Sequence, residues 1–145
     1  MIKWKRNLLF IVLVFVCISA FLSFAAYTKQ GMRTIVKLWE EQLTSYAETL
    51  ISEGGSERYL SEKADGFGFR VDVCPQSQCV FFKHYTFKET GFFYSTGGAP
   101  VGYLGEDVTF EKSGDGWLWN EGAGSDNWFY AEHIVGNWYW YEMHY

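Results

Sequence analysis

Residues 128–142 read WFYAEHIVGNWYWYE. Two runs of aromatic and β-branched residues flank Gly136-Asn137, a pair that accepts the backbone angles of a tight turn. The stretch therefore reads as an antiparallel hairpin, with strands over Trp128–Ile134 and Asn137–Glu142. Side chains alternate between the two faces of a strand. Trp128 and Tyr130 then share one face of the first strand. Trp138 and Trp140 share one face of the second, and Tyr139 and Tyr141 lie on its other face.

The same period of two extends upstream as far as Gly66. It predicts strands over Phe67–Val73, Val80–Phe87, Phe92–Ser95, Val108–Glu111 and Trp117–Glu121. Trp117 and Trp119 share a face of the last of these. Turn chemistry separates the runs at Glu89-Thr90-Gly91, Ser113-Gly114-Asp115-Gly116 and Gly122 to Asn127. Short connections make neighbours antiparallel, so the expectation is a meander of five to seven strands. Thr96 to Gly105 is the longest irregular stretch. Ser56 to Asp65 is polar and reads as a short helix or loop.

Ahead of the sheet the period changes. Tyr27 to Ile51 lacks Pro, and its apolar positions Met32, Val36, Trp39, Leu43, Tyr46 and Leu50 are spaced 4, 3, 4, 3, 4 apart. That spacing is a helical seam, expected to pack on the sheet. Gly31 is its one weak point, and Gly54-Gly55 supplies a C-terminal stop. Further upstream, Leu8 to Ala26 carries no charge, Pro or Gly over nineteen residues. At 1.5 Å per residue such a helix nearly crosses a ~30 Å hydrocarbon layer. Lys3, Lys5 and Arg6 precede it, as expected for an N-terminus held in the cytoplasm. The expected organisation is a short tail over 1–7, a transmembrane signal-anchor over 8–26, a juxtamembrane amphipathic helix over 27–55 and a β-rich extracytoplasmic domain over 56–145. The fold class is α+β. A cleaved signal peptide is the competing reading, with Ser23-Phe24-Ala25 as its cut site.

Cys74 and Cys79 flank Pro75-Gln76-Ser77-Gln78. A four-residue loop between antiparallel strands sets its flanking residues opposite one another. The pair is expected to form a disulfide stapling a hairpin in an oxidising compartment. Cys17 lies within the apolar run. The three His are scattered, and no zinc-ligand spacing, nucleophile elbow or phosphate-binding glycine pattern occurs. No metal, cofactor or enzymatic activity is expected. After Tyr27 there are nine Lys and Arg against seventeen Asp and Glu, a net charge of −8. That balance argues against nucleic acid as a partner.

Aromatics make up 21% of the chain, far more than one helix-covered face needs. Trp117, Trp119, Trp128, Tyr130, Trp138 and Trp140 are accordingly the candidate surface for a partner protein or a small ligand. The expected function is a single-pass protein of the inner or plasma membrane carrying a non-enzymatic, periplasmic binding domain. An apolar helix that becomes amphipathic and then meets a sheet resembles, in outline, the extracytoplasmic part of membrane sensors. It also resembles pilin-like subunits, although the Gly-Phe processing junction and the following Glu of those proteins are absent. A pilin-like structural role, or an acidic exported inhibitor of a cationic partner, is the alternative expectation.

Overall fold

The computed structural model describes residues 11–19, 25–54, 59–61, 69–85 and 89–145. Helix α1 is described over residues 11–19. Helices α2 (Lys29–Leu38) and α3 (Glu40–Glu53) follow. The strands are β1 (Tyr59–Ser61), β2 (Arg70–Cys74), β3 (Cys79–Tyr85), β4 (Glu89–Ser95), β5 (Glu111–Ser113), β6 (Gly116–Asn120), β7 (Trp128–Val135) and β8 (Trp138–His144). The protein is α+β, with all strand pairings antiparallel.

The eight strands form one sheet in the order β1-β2-β3-β4-β8-β7-β6-β5. The expected single meander is thus two meanders. The second returns toward the first, so that β8 pairs with β4 at the centre. A connection over residues 96–110 carries the chain from β4 at the centre out to β5 at the far edge. β1 lies in the segment expected to be helix or loop. The Val108–Glu111 strand is shifted to Glu111–Ser113, and residues 67–68 and 86–87 of two expected strands lie outside the described residues.

The helix expected over Tyr27–Ile51 is broken near residue 28 and again at Trp39. Near residue 28 the chain turns: Thr28 caps α2 by accepting from the Gly31 amide at 3.1 Å, and its hydroxyl donates to the Ala25 carbonyl at 2.7 Å. A Cβ on Gly31 would collide with that same carbonyl. Gly31, in the first turn of α2, is therefore required by the close approach of the Ala25 carbonyl. At Trp39 the backbone leaves helical geometry, with φ −118° and ψ 24°. Lys37 lies in the last turn of α2, and Glu40 and Glu41 open α3, which are the favourable charges at each terminus. Met32, Val36, Leu43 and Leu50 are buried and Tyr46 is half-buried, all on the sheet. Trp39 falls at the break and is 48% exposed, so it leaves the expected seam. Ala47 and Ile51 are buried alongside the seam in α3.

Of the expected span Leu8–Ala26, only residues 11–19 and 25–26 are described. Among the described residues, no helix is long and apolar enough to cross a membrane. The nine described residues of α1 are all exposed.

Candidate functional site

Both faces of the sheet are covered by the chain itself. On one face α2 and α3 close a core with Val71, Val73, Val80, Phe82, Phe92, Trp138 and Trp140. Trp138 donates its indole N–H to Thr44 at 2.9 Å, and Tyr94 donates to Glu48 at 2.9 Å, fixing α3. On the other face Val101, Tyr103, Leu104 and Phe110 of the 96–110 connection lie over Phe81, Phe93, Phe129, Tyr139 and Tyr141. The aromatic face that a single helix layer could not cover is thus filled by the longest irregular stretch of the sequence.

This divides the six candidate surface residues. Trp138 and Trp140 are core residues, 0% and 5% exposed, and not surface. The helices cover them because they share a face with Val36, Leu43 and Ala47. Tyr130 is half-buried beside them. Trp117 and Trp119 are half-buried on the opposite face, against the connection. Trp128 is half-buried at the start of β7. The six therefore do not form one surface.

The helix layer is tied to the sheet by an ionic site. Glu132 of β7 accepts from Lys29 at 2.5 Å and from Arg33, and Tyr130 donates to it at 3.2 Å. The Lys29 ammonium also lies 4.6 Å from the Trp140 ring centroid, a cation–π contact. Burial works to raise the Glu132 pKa. The hydrogen bond and charge of Lys29 and the charge of Arg33 outweigh it, leaving the carboxyl below its ordinary value of 4.5. Ionised Glu132 therefore contributes stability that is fully present above the unfolded value. That stability is lost as pH falls through the folded one. Glu132→Gln should cost about 1–2 kcal/mol at pH 7, and less below pH 4.5. Urea unfolding at the two pH values measures this, and an equal cost at both would overturn the assignment.

The connection is held by a second polar site. Tyr103 accepts from Lys83 at 2.7 Å, and its hydroxyl lies 3.5 Å from an Asp72 carboxylate oxygen. Glu89 stands 3.2 Å from Lys83, and Arg70 stands 3.6 Å from Asp72. Asp72 and Lys83 are 2% and 7% exposed. Burial acts to depress the Lys83 pKa, but its bond to Tyr103 and the nearby Glu89 leave it raised, so the ammonium keeps its charge. Ser77 donates to the Gly105 carbonyl at 2.7 Å, pinning the same turn of the connection two residues on. The reading of the sequence missed this site. A signal was present: Arg70, Asp72 and Lys83 occupy same-face positions in strands rich in Val, Phe and Cys.

No family model, curated protein or solved structure matches this chain.

Cys74 and Cys79 stand directly opposite one another in β2 and β3 and are both buried. The expected disulfide is not formed: both are thiols. A hydrogen bond with Cys74, followed by burial, pushes the Cys79 thiol up and keeps it neutral.

The three His do not converge. His84 stacks on Tyr27 with centroids 4.0 Å apart, and burial lowers its pKa. His133 is exposed and bonds the Gly136 carbonyl at 2.8 Å. His144 lies 3.2 Å from Asp126. Adjacent Glu132 and His133 point to opposite faces, so they do not act as a pair.

One end of the sheet gathers the remaining half-exposed aromatics. Trp119 stacks on Tyr145 with centroids 6.3 Å apart, and Tyr145 meets Tyr103 at 5.6 Å. Trp128 occupies the same end, opposite Asn120 and His144. Burial, then the charge of Glu106, pushes the Tyr145 phenol up to about 12, so it is neutral at physiological pH.

Proposed function

We propose that this chain is a single-pass membrane protein whose β-rich part is a non-enzymatic binding domain on the extracytoplasmic side. The observation that carries the reading is α1. Ile11, Leu13, Phe15, Val16 and Ile18 are each more than half exposed. Keeping so many large apolar side chains in water costs on the order of 10 kcal/mol, and hydrocarbon removes that cost. The basic residues Lys3, Lys5 and Arg6 ahead of the run, and its uncharged continuation to Ala26, support the same assignment and orientation. Leu8–Ala26 is then the anchor, and the turn near residue 28 joins it to the domain. The separation of the three His, and the closure of both sheet faces by the chain itself, support binding at the rim over catalysis in a cleft.

The test is the intact mass of the full chain in carbonate-washed bacterial membranes. A membrane-retained chain still carrying residues 1–25 is expected. A soluble product beginning at Ala26 would overturn the anchor. An exported domain also meets an oxidising environment, where opposed Cys74 and Cys79 have the register that a disulfide requires. After purification without reductant and denaturation, an alkylating reagent should label Cys17 alone. Labelling of all three cysteines would show that the pair stays reduced.

A further inference from the structure

We propose that the aromatic rim formed by Trp119, Trp128 and Tyr145 is a lipid-facing surface, which rests in the headgroup region and holds the domain upright on its anchor. This rests on the anchored reading above.

The argument begins with where the anchor enters. Tyr27, just after the apolar run, stacks on His84 and meets Phe69 edge-on at 5.9 Å. His84 pairs with Thr90, which pairs with Glu142. Along the sheet, the next row of partners toward the same end contains Glu89, Met143, Phe129 and Trp119. The row beyond contains His144, Trp128 and Asn120. The rim and the entry of the anchor therefore lie at one end of the sheet. From β3 to β6 the strand order runs through β4, β8 and β7. At ~4.8 Å per strand the rim is about 19 Å to the side of the anchor. A domain joined to its anchor at that end of the sheet brings the rim toward the bilayer.

The chemistry of the rim fits this occupant. Trp and Tyr carry an apolar ring and a polar edge, and they concentrate where hydrocarbon meets water. Trp119 lies on the face of the connection, Trp128 on the helix face, and Tyr145 is 50% exposed beside Trp119. Three carboxylates stand next to the rim, and Glu106 is the one whose charge acts most on Tyr145. Glu121 accepts from Ser125 and Asn127, each at 2.6 Å, and Asp126 stands against His144. An acidic edge of this kind suits a zwitterionic surface better than an anionic one.

The experiment uses the full chain in phosphatidylcholine vesicles, with and without bromine on the upper acyl chain. Vesicle flotation reads the anchor, and tryptophan quenching reads the rim. Wild type should float and be quenched. The double variant Trp119→Phe, Trp128→Phe should float equally, with the quenched share of its emission reduced about twofold. Trp117→Phe, two rows further from that end than Trp119, should retain the wild-type quench. A chain that does not float overturns the anchored reading. Flotation with equal quenching of wild type and double variant overturns the rim alone, and leaves that surface to a protein partner. Loss of quenching in Trp117→Phe as large as in the double variant also overturns it, because the effect would then be general.

Discussion

Trp138→Ala should lower the unfolding free energy by about 3–5 kcal/mol. The side chain is completely buried and sits where both layers meet. Its ring packs on Phe82, Phe92 and Tyr94 with centroids 5.7, 5.8 and 5.1 Å away. Truncation removes that packing and leaves the Thr44 hydroxyl without its indole donor. Neighbours from two aromatic strands and one helix cannot collapse into a space of that shape, so the cavity persists. Trp138→Phe separates the two contributions: it keeps a ring and deletes the hydrogen bond, and should cost about 1–2 kcal/mol. Urea unfolding of the full chain in a mild non-ionic detergent measures both. A loss below about 1 kcal/mol for the alanine variant would mean that Trp138 is not the centre of this core.

Gly91→Val should destabilise the domain by about 2–4 kcal/mol, against the sign that strand propensity gives. Valine favours a strand more than glycine does, and Gly91 lies inside β4. The obstacle is space. A Cβ at this position would run into the Phe82 carbonyl oxygen and lie 2.8 Å from Cε1 of Tyr141. Glycine lets the Tyr141 ring lie directly on the backbone where β4 and β8 join the two halves of the sheet. The same unfolding measurement decides the sign, and a neutral or stabilising result would show that the ring does not occupy that space.

The sequence carried much of this fold because the strands and their turns are local. Gly136-Asn137 turns the β7–β8 hairpin, and the four residues between Cys74 and Cys79 set those thiols in register. What it did not carry depends on distant partners. Nothing in the pattern of β4 and β8 says that they pair, since both are aromatic on two faces and each would fit several neighbours. The connection over 96–110 reads as turn residues, yet Val101, Tyr103, Leu104 and Phe110 are the apolar positions that cover a whole face. Trp39 continued the helical seam by spacing, but a backbone break beside it rotated it outward. The candidate surface suffered for the same reason. Alternation separates the faces of a strand but does not say which face the chain will cover, and here it covers both, leaving only the end of the sheet.

The strand order bears on how the domain is made. β8 is the last strand of the sheet to be synthesised, and it lies between β4 and β7. Until it emerges, β1 to β4 and β5 to β7 are two partial sheets with no strand to join them, and the helix-side core lacks Trp138 and Trp140. Assembly of the native sheet is therefore postponed until Trp138–His144 has been made. An incomplete product stopped before residue 138 would expose both unfinished aromatic faces, the hallmark that quality-control proteases recognise.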